Sequence, residues 1–221
     1  MLAALAGLIA LAAAGFCWSQ NRAAAAWRAG LLSDGTRLLR AARLGRDRAG
    51  FATLDGRFGA FEARLRLIPE ALVFRRLPQL WLSVTLRAPL PAGMTLDVLR
   101  RPAGAEFYAP DDLPTRFPAP PGWPADTLVR GTQGAEALLA RAAPALDTIL
   151  ADPRVKEVLL TPKGLRLVLQ ASEGTRGAYL LLRGSRFPLE RIPPETLRLG
   201  LEAARDLALV LSEPPDARLA A

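Results

Sequence analysis

The sequence predicts an α+β fold: an N-terminal transmembrane helix, then a mostly antiparallel sheet domain with two principal helices. Three observations carry this. Met1–Trp18 contains no charged residue. Residues 61–67, 80–87 and 96–98 alternate apolar and polar side chains, the period of a half-buried strand. Residues 135–151 and 193–213 repeat apolar side chains at helical spacing, and interleaved runs of strands and helices are the α+β pattern.

The N-terminal run sets the organisation. At ~1.5 Å per residue, 18 residues reach about 27 Å, close to the ~30 Å hydrocarbon core. Ala23–Ala26 extend the helix to Trp27, so 1–32 is assigned to the anchor and its extension, with Trp18 and Trp27 as interfacial aromatics. Two other readings exist. A secretory signal cut at Ala12-Ala13-Ala14 would lack its basic leading region, and a lipoprotein signal ending at Cys17 is opposed by the bulky Phe16. Ala6, Ala10 and Ala14 have a spacing that permits helix pairing, but in so alanine-rich a run it arises unavoidably.

Charge gives the orientation. Arg22, Arg28, Arg37, Arg40, Arg43, Arg46 and Arg48 follow the run, offset by Asp34 and Asp47 alone. Basic residues near a span stay on the cytoplasmic side, so the expected location is the bacterial inner membrane with a cytoplasmic domain. A periplasmic domain is the alternative if the run is cleaved. Residues 1–60 carry 8 Arg and 3 acids, a net of +5, whereas residues 61–221 carry a net of only +3. The choice of 27 Arg over 2 Lys fits the codon drift of a GC-rich bacterial genome. The overall +8 charge therefore reads as topology, with the membrane as partner and no nucleic acid.

Residues 33–50 read as a basic juxtamembrane connector. Ser33-Asp34-Gly35-Thr36 is a turn or cap signal, and 36–48 places Leu38, Leu39 and Ala42 on one helical face with Arg37, Arg40 and Arg43 on another. A short amphipathic helix on anionic headgroups is expected there, with Arg22, Arg28, Arg37, Arg40 and Arg43 as its membrane-surface residues.

The globular domain is assigned to 51–213 and a tail to 214–221. Residues 110–124 hold six prolines, a density no helix or central strand survives. They are expected to form a loop between two lobes, pinned by Phe117 and Trp123. Ala135–Ala143 is a helix that Pro144 either kinks or restarts toward Ala151. Arg154–Leu160 and Leu165–Gln170 form a hairpin, and Tyr179–Arg183 a further strand. Pro193-Pro194-Glu195 opens the last helix, with Pro in its allowed first turn.

The chemistry is bounded mainly by exclusion. The absence of His removes His-based triads, bases and metal sites. A single Cys removes internal disulfides and Cys-cluster metal sites. No phosphate-loop, dinucleotide or nucleophile-elbow motif is present, and Gly131-Thr132-Gln133-Gly134 reads as a plain turn into a helix. No catalytic, cofactor or metal residue is assigned, and a non-catalytic role is favoured. The expected function is an interaction or accessory module for a protein partner in the membrane or at its cytoplasmic face. The competing reading is a tethered enzyme or ligand-binding domain, which requires Asp97, Glu106, Asp111 or Asp112 to converge with arginines in a pocket. The doublets Arg75-Arg76 and Arg100-Arg101, with Arg183, Arg186 and Arg191, read as a solvated face with ion pairs.

Overall fold

The computed structural model describes residues 2–70, 77–90, 93–102, 106, 109–110, 112–176 and 187–212, with side chains from Leu5 onward. The chain begins with a 29-residue helix, α1 (Leu2–Gly30), and a 3-10 turn over Ser33–Arg37. Strands follow as β1 (Arg40–Arg46), β2 (Ala52–Phe58), β3 (Phe61–Glu70), β4 (Gln79–Arg87), β5 (Leu96–Arg100), β6 (Thr115–Phe117) and β7 (Thr127–Gly131). Then come α2 (Glu136–Leu150), β8 (Val155–Thr161), β9 (Gly164–Glu173) and α3 (Pro194–Ser212).

All nine strands form one antiparallel sheet in the order β1-β2-β3-β4-β9-β8-β5-β7-β6. The expected antiparallel α+β domain is therefore observed. Strands from both sides of the proline-rich stretch interleave in that sheet. Part of the stretch is itself β6, a three-residue strand at the sheet edge, where prolines on either side cost no ladder bond. Phe117 and Trp123 are both buried, and the Trp123 indole N–H donates to Asp147 of α2.

One face of the sheet is the core. Leu54, Leu65, Leu82, Val84, Val98, Leu160, Leu167 and Leu169 are essentially inaccessible, and α2 and α3 cover them. The apolar stripe of α3, Leu197, Leu201, Ala204, Ala208 and Leu211, is fully buried. Gly200 lets that helix lie close, since a Cβ there would sit 3.1 Å from both Val84 and Leu169 side-chain carbons. Inside α2, Pro144 neither stops nor restarts the helix. It removes one N–H, and burial of Leu138, Leu139, Ala142, Leu146 and Ile149 outweighs that loss.

The connector differs from expectation. Residues 36–48 do not form an amphipathic helix: they are the end of the 3-10 turn and β1. Leu38, Leu39 and Ala42 fit a helical period over barely two turns, too short a stretch to fix the period. Pairing of β1 with β2 then decides the conformation. Tyr179–Arg183, Asp111, Arg75-Arg76, Arg183, Arg186 and the tail lie outside the described residues.

Candidate functional site

Two features stand apart from the packed core: the exposed part of α1 and the charged face of the sheet. The first begins from sequence. Leu5, Leu8, Ile9, Leu11, Phe16 and Trp18 are 58–73% exposed. At about 100° per residue they cover one half of the helix, while Ala6, Ala10, Ala13 and Cys17 occupy the other. There is no polar face. In contrast, α3 has a buried stripe and a charged back.

The root of α1 is fixed. Leu31 and Leu32 just beyond it are fully buried. The Trp27 indole N–H donates to the Leu189 carbonyl at 2.8 Å, and its ring stacks on Phe187 and meets Phe51 edge-on. The Ile192 N–H donates to the Leu31 carbonyl at 2.9 Å. An apolar arm therefore projects from a rigid socket.

Among the described residues no helix is long and apolar enough to cross a membrane. The N-terminal helix expected over 1–32 is present, but it is not apolar enough to be a membrane span.

The predicted surface residues separate. Arg22 is exposed, with its guanidinium 5.5 Å from the ring centroid of the exposed Trp18. Arg28 is half-buried over Phe51, at 6.0 Å. Arg37 is exposed at the end of the 3-10 turn. Arg40 donates to the Gly59 carbonyl at 2.8 Å, and Arg43 lies on the open sheet face beside Asp55. Arg22 and Arg28 flank Trp27, whereas Arg40 and Arg43 belong to a strand.

The open face carries a row of polar residues, one from nearly every strand. Cross-strand pairing aligns Arg43, Asp55, Arg64, Thr85 and Arg166, then Leu159, Asp97, Arg130 and Arg116. Its β5–β8–β9 part is buried. Asp97 is wholly inaccessible and accepts from Arg130 Nη2 at 2.9 Å. Glu157, also inaccessible, takes a two-pronged contact from Arg166 at 2.9 and 3.0 Å. Buried Lys156 donates to Glu106 at 3.1 Å and to the carbonyls of Arg100 and Arg101. Burial pushes Glu157 up to about 7, against the lowering effect of Arg166, and raises Asp97 against that of Arg130.

Asp97, one of the acids that a ligand-binding reading requires in a pocket, is therefore buried in the sheet. It converges with Glu106 and Glu157, but Asp97 accepts from Arg130, Glu157 from Arg166 and Glu106 from Lys156, and none of the three acids lines the cavity on the open face of β1–β4. Asp112 is exposed. Sequence reasoning missed Glu157, Arg130, Arg166 and Lys156. The available signal was a Lys-Glu pair inside the apolar strand Val155–Leu160. The doublet Arg100-Arg101 is structural. Arg100 donates to Asp126 and to the Leu150 carbonyl at the end of α2, a favourable place for a cation. Arg101 donates to the Pro153 and Val155 carbonyls. No protein-family model, curated protein or solved structure matches the chain.

Proposed function

We propose that the chain is a single-pass membrane-anchored protein whose α+β domain serves as an interaction or accessory module on the cytoplasmic face. The observation that carries this reading is the contrast within α1: its root is locked into the core, while residues 5–18 expose large apolar side chains with no polar face. A uniformly apolar helix of this kind needs an apolar surrounding. Counted from Met1 in the sequence, the uncharged run is 18 residues, and Arg22 and Arg28 follow it where anionic headgroups would meet them. The module reading is supported by acids matched to bases on the buried face and by the absence of His.

Flotation of the full-length protein with lipid vesicles tests the anchor. The wild type should rise with the vesicles and resist high-salt extraction. A Leu8→Arg/Leu11→Arg variant, altered only at exposed positions, should remain at the bottom of the gradient with the domain folded. A wild type extracted by salt alone would contradict insertion. Affinity purification from gently solubilised membranes then tests the module, for which a stoichiometric protein partner is expected.

A further inference from the structure

We infer that the open face of β1–β4 holds an anion-binding site that clasps a phosphate group between Arg43 and Arg57. The argument rests on register. Arg43 on β1 stands opposite Asp55 on β2, which stands opposite Arg64 on β3. Two residues along, Arg57 on β2 stands opposite Glu62 on β3, which stands opposite Arg87 on β4. The face thus carries two parallel triplets, each a carboxylate flanked by two arginines.

Each carboxylate has already chosen. Asp55 accepts from Arg64 Nε at 2.5 Å, and Glu62 accepts from Arg87 Nη1 at 3.5 Å. Arg43 and Arg57 have no carboxylate partner among the described residues, and Arg57 makes only a 3.4 Å bond to the Ala60 carbonyl. They are diagonal neighbours, about 7–8 Å apart at the backbone, so their long stems can converge. Arg40 stands opposite Arg57 as well, though it turns away to Gly59. Like charges packed this way oppose one another, and an anion relieves that.

These six side chains line a cavity of about 620 Å³, within the range of small-molecule sites. Two surplus guanidiniums match the charge of one phosphate dianion, and their planar forks suit its oxygens. No aromatic side chain lines the cavity, so a base-stacking single strand is not the fitting occupant. The phosphate could belong to a soluble small molecule or to a lipid headgroup.

Titration calorimetry on the full-length chain in uncharged detergent micelles tests this, with inorganic pyrophosphate in one arm and micelles doped with phosphatidic acid in the other. Saturable binding of one equivalent per chain is expected in at least one arm, and the responding arm names the source. Arg43→Gln and Arg57→Gln should each weaken it at least tenfold. Arg198→Gln, an exposed arginine on α3 outside the cavity, should leave it unchanged. All three positions are exposed, so folding is preserved. The inference is overturned by no saturable binding in either arm, by an equal loss in Arg198→Gln, or by a polyglutamate peptide binding where both phosphate probes fail.

Discussion

The indole N–H of Trp27, near the end of α1, donates at 2.8 Å to the carbonyl of Leu189, 162 residues further along the chain. This one bond ties the root of the apolar arm to the segment that leads into α3. Trp27→Phe keeps the stacked ring and deletes the donor, so it should cost about 1 kcal/mol. Trp27→Ala also loses the contacts to Phe51 and Phe187 and should cost about 3 kcal/mol. Urea denaturation of the two variants measures both.

Stability should fall as pH rises from about 4.5 to 7. Unfolded Glu157 ionises near 4.5, whereas burial holds the folded group at about 7. In that window the folded chain keeps a proton that the unfolded chain has released, so raising the pH favours unfolding, by roughly 3 kcal/mol in all. Asp97, also raised, acts in the same direction from 3.8 upward. Asp126 is lowered by its bond from Arg100, and Asp152, against the raising effect of burial, is lowered by its bonds from Arg154, so their contribution is lost only below that window. Glu157→Gln should flatten most of the slope in denaturation curves taken at pH 5 and pH 8. A slope unchanged in that variant would remove Glu157 as its source.

The Lys156 ammonium is 5% exposed and faces Glu106 and two backbone carbonyls. Lys156→Met withdraws the cation from a buried carboxylate and should cost about 3–5 kcal/mol. Lys156→Met/Glu106→Leu should recover part of that loss, because the buried carboxylate is removed together with the ammonium that faced it. Thermal denaturation of the single and double variants separates the two states.

Gly164 turns the β8–β9 hairpin at φ +140°, where a Cβ would strike the Leu86 carbonyl oxygen. Both the conformation and the clash exclude a side chain. Gly164→Ala should destabilise the domain by more than about 3 kcal/mol, or abolish folding. Circular dichroism with a melting curve checks it.

The strands of the middle of the sheet are legible in the sequence because their two faces meet different surroundings. Leu80, Leu82, Val84 and Leu86 meet the helices, and Ser83, Thr85 and Arg87 lie on the opposite face, so alternation survives, although Trp81 and Ser83 are themselves buried there. β1 is not legible. As an edge strand it buries almost nothing, and its conformation comes from β2, a contact the local sequence does not encode. The buried charges on β5 and β8 escape for the opposite reason. Asp97 obeys the alternation and Glu157 sits at a register irregularity of β8; both are buried, so polar identity at these positions does not mark an open face. The apolar arm is visible in composition alone, whereas its socket, built from Phe51, Phe187 and Leu189, depends on residues far apart in the chain.

The account rests on α1 lying in a bilayer up to about Trp18. Thiol accessibility tests this most directly, because Cys17 is the sole cysteine. In full-length protein with Cys17→Ser, a single thiol is placed by Ile9→Cys or by Ala24→Cys, both exposed positions. The protein is reconstituted in lipid vesicles and treated on both sides with a membrane-impermeant maleimide. The account predicts that the thiol at 9 reacts at least tenfold more slowly than the thiol at 24, and that the difference vanishes on denaturation. Equal rates in intact vesicles would contradict it.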